Sequence, residues 1–143
     1  MSHSDHTNPS DETIRGLLEK VQRIAVVGLS PKPERDSNRV ARYLQEQGYE
    51  IVPVYPREEK ILGQKAYRSV RDIPGEVDLV DVFRRGEDLP AVTEDALAAG
   101  APALWFQLGC VNQEAARTAT EAGAAVIMDR CILVEHARLL GAR

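Results

Sequence analysis

RIAVVGLSPKPERDSNR, residues 23–39, sets an apolar run against a single glycine and then a polar loop. Ile24, Val26 and Val27 are β-branched, and with Ala25 they form a run too short for a helix. They read as a strand buried on both faces. Gly28 permits a tight turn and leaves no Cβ between the backbone and a ligand. Val40, Ala41 and Leu44 then make the inward stripe of a helix over residues 38–47. Asp36 or Ser37 is placed to cap its start, and Gly48 to end it.

The same alternation repeats outward from this unit. Upstream, Ile14, Leu17, Leu18 and Val21 share one face of a helix beginning near Asp11. Downstream, strands are expected at 50–54, 77–82, 103–106 and 125–128, and helices at 87–99, 113–122 and 132–140. A loop runs through Gly63, and SVRDIP reads as one helical turn stopped by Pro74. Strands alternating with helices imply βαβ units. The expected fold class is α/β: a Rossmann-like, doubly wound, mainly parallel sheet of five or six strands with helices on both faces. Residues 1–10 read as a flexible tail and 11–143 as one domain.

Composition narrows the function. A net charge of −4 argues against a generally basic, nucleic-acid-coating surface. No apolar run approaches the roughly 20 residues of a membrane span. The first ten residues, MSHSDHTNPS, lack the apolar core of a signal peptide, so a cytoplasmic protein with reduced thiols is expected. Cys110 and Cys131 lack C-x-x-C spacing. His3 and His6 lie in the polar tail, where a frayed end is favoured over a metal site.

In an open parallel sheet, ligands bind beyond the carboxyl ends of the strands. The segments delivered there begin at Gly28, Tyr55, Phe83, Gln107 and Asp129. Together they offer glycines, hydroxyls, amides and arginines, which suit a phosphate-bearing ligand at a helix N-terminus. Within the first loop, Ser30, Ser37 and Asn38 are neutral donors, and Lys32 and Arg35 add charge. NAD is disfavoured, because only one glycine is present where dinucleotide sites use three. In addition, the second strand ends Val54-Tyr55-Pro56-Arg57 without a carboxylate for the ribose. Arg57 there favours a phosphorylated ribose.

With these residues placed, the chain resembles the small stand-alone CoA-binding-domain proteins, relatives of the CoA-binding domain of the succinyl-CoA synthetase alpha subunit. The carriers are Ala25-Val26-Val27-Gly28-Leu29-Ser30 with Pro31, Arg35, Ser37 and Asn38, and Gly48-Tyr49-x-Ile51-x-Pro53-Val54-x-Pro56. Asp81-Val82-Phe83-Arg84, Trp105-x-Gln107-x-Gly109 and Met128-Asp129-Arg130-Cys131 with Glu135-His136 complete the set. The resemblance implies a site for coenzyme A or an acyl-CoA. Gly28, Leu29, Ser30, Arg35, Ser37 and Asn38 would lie along its phosphates. Val54, Tyr55, Pro56 and Arg57 would flank the adenosine, Phe83 and Arg84 would form the neighbouring wall, and Gln107 and Gly109 would approach the pantetheine arm. Tyr55 departs from the asparagine usual before the proline, and the phosphate role of Arg57 rests on physical inference.

Catalysis is not expected. The synthetase relatives carry their phosphorylated histidine on a second domain, which this sequence lacks. His136 and its neighbour Glu135 point to different helix faces and form no dyad. Cys131 reads as a packing residue, and Cys110 is a weak candidate for a mixed disulfide with the CoA thiol. Trp105 and Phe106 read as core. No metal spacing, P-loop or Ser-His-Asp order appears. The expectation is a non-catalytic CoA-binding sensor, carrier or regulatory module, with an acyl-CoA-using enzyme as its candidate partner and with no nucleic acid, membrane or metal. The alternatives are an NADP-binding oxidoreductase and an interaction protein with a vestigial nucleotide site.

Overall fold

The computed structural model describes residues 5–142. Five strands, β1 (Arg23–Val27), β2 (Glu50–Val54), β5 (Leu79–Val82), β6 (Ala103–Phe106) and β7 (Ala125–Met128), form one sheet in the order β2-β1-β5-β6-β7. Every neighbouring pair is parallel. Between β2 and β5 a small antiparallel hairpin stands apart, made of β3 (Lys60–Ile61) and β4 (Gln64–Lys65). The helices are α1 (Asp11–Lys20), α2 (Asp36–Glu46), α3 (Leu89–Ala98), α4 (Gln113–Glu121) and α5 (Ile132–Leu140).

Side-chain alternation along the strands splits the core in two. Ile24, Val26, Leu79, Trp105 and Ile127 pack with apolar residues of α1, α2 and α5 on one face. Ala25, Val27, Val80, Phe106 and Met128 pack with those of α3 and α4 on the other. The doubly wound α/β architecture follows from these two faces, since each must be covered to bury the β-branched strands.

Several local expectations change. Neither Asp36 nor Ser37 caps α2. The N-cap position is Arg35, with no side-chain cap hydrogen bond, and the Ser37 hydroxyl instead accepts the Ser30 N–H at 2.9 Å. The loop through Gly63 is the β3–β4 hairpin, closed by Leu62 and Gly63 at φ 53° and 75°. Both positive angles suit a two-residue hairpin turn, but Leu-Gly is not its usual sequence signature. The expected turn at SVRDIP is a 3-10 segment, Val70–Asp72, and its start is capped by Ser69. The third strand begins at Leu79 rather than 77, and a 3-10 turn, Gly86–Asp88, precedes α3.

The segment read as a flexible tail is hydrogen-bonded from His6 to Asn8 along the outer edge of β7. His3 lies outside the described residues.

Candidate functional site

The chain leaves β1 for β2 on one side, while β5 lies against β1 on the other. The loops above these strands therefore diverge, which opens a crevice at their carboxyl ends. Gly28 sits at its base with φ +83°, and its N–H donates to the Val54 carbonyl at 3.0 Å. A Cβ at this position would stand 2.3 Å from the Phe83 carbonyl oxygen, closer than any side chain permits. Only glycine allows the β1 turn to press against the tip of β5. Arg84 covers the same point, its Cδ 3.2 Å from where that Cβ would be.

The loop after Gly28 is held by its own polar side chains. Ser37 accepts from the Ser30 N–H, and Ser30 Oγ accepts the Lys32 N–H at 3.1 Å. Asn38 Nδ2 donates to the Ser30 carbonyl at 2.8 Å, and Asn38 Oδ1 accepts from Arg42 Nε at 3.0 Å. Arg42 also donates to the Pro33 carbonyl. The loop is thus preorganised, while the first turn of α2 carries no side-chain cap. An uncapped helix start beside a cleft presents N–H groups and positive dipole to whatever occupies it.

Above this floor lies a cleft of about 660 Å³ lined by Gly28, Ser30, Lys32, Glu34, Arg35, Asp36, Ser37, Tyr55, Arg57 and Phe83. A second cleft of about 650 Å³ shares Tyr55 and Arg57 and continues over Pro56, Ala66 and the hairpin, with Lys60, Lys65 and Arg68 set against Glu58 and Glu59. The Arg57 guanidinium stands 5.8 Å from the centre of the Tyr55 ring. Cations outnumber carboxylates in both clefts, although the chain as a whole is acidic. Of the two clefts, the one at the start of α2 is the more polar and more open, and the one over the hairpin is the more apolar and more enclosed.

The structure brings together Gly28, Ser30, Arg35, Ser37, Tyr55, Arg57 and Phe83, with Pro56 next door. Arg84 adjoins Gly28 but pairs with Asp88 at 3.2 Å. Other expected residues take different roles. The Leu29 and Val54 side chains are buried in the two cores, because their backbone positions turn them away from the rim. Asn38 is buried and spent on loop bonds. Gln107 is also buried, and its Oε1 accepts the Ile132 N–H at 3.1 Å, which fastens the start of α5 to β6. Gly109 donates to Asp129 Oδ1 at 2.8 Å, beyond β6 and away from both clefts. Lys60 and Lys65 of the hairpin, and Arg68 just after it, were not anticipated. Two lysines flanking Leu-Gly are their one sequence signal.

The candidate chemical residues are placed structurally. Trp105 is fully buried, with its indole N–H on the Arg130 carbonyl at 2.8 Å. His136 is buried between the Tyr43 and Tyr49 rings, and its Nδ1 lies 2.8 Å from the Tyr43 hydroxyl. Burial lowers its pKa. Cys110 and Cys131 are both free thiols, and burial pushes the Cys110 thiol up, away from the thiolate. Among the described residues no group of three His, Cys, Asp or Glu side chains is arranged to hold a metal. No described helix is long and apolar enough to cross a membrane.

Comparison with known proteins shows the family. The model of the CoA binding domain family matches residues 22–137. The chain belongs to that family. As a CoA-binding-domain protein it is 49% identical over 130 residues to the Bacillus subtilis protein YneT, an alignment spanning 91% of this chain and 96% of the relative. A solved structure of a hypothetical protein from Pyrococcus horikoshii OT3 superposes with a TM-score of 0.92 at 43% identity and covers 99% of both chains. A 57-residue stretch, 39% of this chain, is 51% identical to 12% of the alpha subunit of the ADP-forming acetate–CoA ligase II of Pyrococcus furiosus. Both halves of the expected resemblance therefore hold: small relatives of the same length, and homology to a CoA ligase alpha subunit.

Proposed function

We propose that this protein binds coenzyme A or an acyl-CoA in the paired clefts and performs no chemistry of its own, serving as a sensor, carrier or regulatory module. One observation carries the reading: the N-terminus of α2, without a side-chain cap, and the Gly28 turn, which only glycine can press against the Phe83 carbonyl, together form a cradle at the floor of the cleft. A diphosphate fits that cradle, since backbone N–H groups and the helix dipole hold anions without needing a buried cation. Lys32 and Arg35 flank it, and Arg57 stands at the tip of β2 where a ribose phosphate would lie. Tyr55 and Pro56 supply a surface for the adenine, with the hairpin as its outer wall.

Absence of catalysis is supported by the lining itself, which among the described residues includes neither histidine nor cysteine. A cytoplasmic location, and a partner enzyme that uses acyl-CoA, accompany this reading.

The test is a thermal-shift panel with CoA, acetyl-CoA, dephospho-CoA, NADP and NAD. A ligand at 100 times its Kd adds about 2.7 kcal/mol to stability. CoA is expected to raise Tm most and dephospho-CoA less, with NAD inert. A shift with NADP alone would transfer the site to a nicotinamide ligand, which Arg57 at the strand tip also suits. No shift with any of the five overturns the proposal.

A further inference from the structure

The sheet ends at β7, and its outer edge is closed by the chain's own N-terminal segment, largely through side chains. Ala125 and Asp129 donate to the Pro102 and Phe106 carbonyls at 3.0 and 2.9 Å, toward β6. The alternate residues Val126 and Met128 therefore turn their backbone groups outward. Asn8 takes both groups of Met128: its Oδ1 accepts the Met128 N–H at 2.8 Å and its Nδ2 donates to the Met128 carbonyl at 3.0 Å. His6 Nε2 lies 2.9 Å from the Val126 carbonyl, and the His6 N–H donates to Gln113 Oε1 on α4 at 2.7 Å. A carboxamide that exchanges two bonds with one backbone residue does what a partner strand does in an antiparallel hydrogen-bonded pair.

We infer that the β7 edge is a self-association surface for a second copy of this chain, which the segment from His6 to Asn8 holds closed. An uncovered edge of outward N–H and C=O groups is a template for another strand. This edge is also self-complementary. In antiparallel pairing about a two-fold axis at Ile127, Val126 of one copy faces Met128 of the other. The two pairs exchange four backbone hydrogen bonds. Asn8 occupies the bonds that Val126 of the second copy would make. The clefts lie at β1, β2 and β5, away from β7, so pairing leaves them open.

Sedimentation velocity over a concentration series tests this with the His6→Ala/Asn8→Ala double variant of the full chain. The variant is expected to sediment at twice the mass of the parent and to keep its capacity for CoA. A companion chain beginning at Ser10, which retains the α1 cap, should do the same. Adding Met128→Pro removes the outward N–H without touching the β6 ladder and should return the mass to that of the parent. A folded double variant at the parent's mass overturns the inference, and so does a doubled mass that survives Met128→Pro.

Discussion

Asp81 sits in the middle of β5 between Val26 and Trp105, fully buried, with neither carboxylate oxygen hydrogen-bonded among the described residues. Burial alone pushes its pKa well above the ordinary carboxylate range. The folded chain therefore keeps a proton that the unfolded chain releases near pH 3.8. This group's contribution to stability is complete below that pH and is lost as pH rises toward the folded-state pKa. Within that window the loss is about 1.4 kcal/mol per pH unit. For a chain of this size each kcal/mol moves Tm by roughly 2–4 °C, so Asp81 costs about 3–6 °C per pH unit.

Asp81→Asn keeps the shape and removes the titration. Scanning calorimetry of both proteins from about pH 4 to 8 should show the variant gaining on the parent at this slope, the gap levelling off above the folded-state pKa. His136, lowered by burial, and Asp11, lowered first by its hydrogen bond to Arg138, contribute with the opposite sign. Both are present in the two proteins and cancel in the difference. Parallel curves across the whole range would refute the claim that burial keeps this carboxyl protonated.

Gly28→Ala places a methyl 2.3 Å from the Phe83 carbonyl at a φ of +83°, and is expected to cost about 1–3 kcal/mol in urea denaturation. It should also abolish the CoA-induced thermal shift. A variant as stable as the parent that still responds to CoA would show that this close approach does not shape the cradle. Arg57→Ala changes an exposed residue, so stability should move by no more than about 0.5 kcal/mol. By titration calorimetry its CoA affinity should fall tenfold or more, since a hydrogen bond to a charged group is worth about 1.5–3 kcal/mol. Dephospho-CoA binding should be unchanged, whereas equal losses for both ligands would remove Arg57 from the ribose phosphate.

Much of the rim was legible because its signals are local. Gly28 follows a β-branched run, and Arg57 follows the Pro56 that ends the next strand. These residues meet at one cleft because parallel strands deliver their carboxyl ends to one rim. Ser37 and Asn38 were legible as polar loop residues but not in their role. Whether a hydroxyl faces a ligand or fastens its own loop depends on where Ser30 returns in space, eight residues before Asn38. Gln107 misled for a similar reason, since its acceptor duty is to Ile132, a residue 25 positions away. The hairpin escaped notice because two-residue strands have no periodicity to read, and a leucine at positive φ lacks the usual turn signature.

What the amino-acid order settled was the alternation of apolar strands with amphipathic helices. Periodicity and turn chemistry act over a few residues and need no knowledge of the rest of the chain. The placement of β5 beside β1 was settled by folding in three dimensions, and with it the position of the cleft. So were the inward turn of Leu29, the burial of an unpartnered Asp81 and the docking of Asn8 on a strand 120 residues away. Those outcomes depend on which surfaces must be buried against each other and which backbone groups are left unpaired, quantities that exist only once distant segments meet.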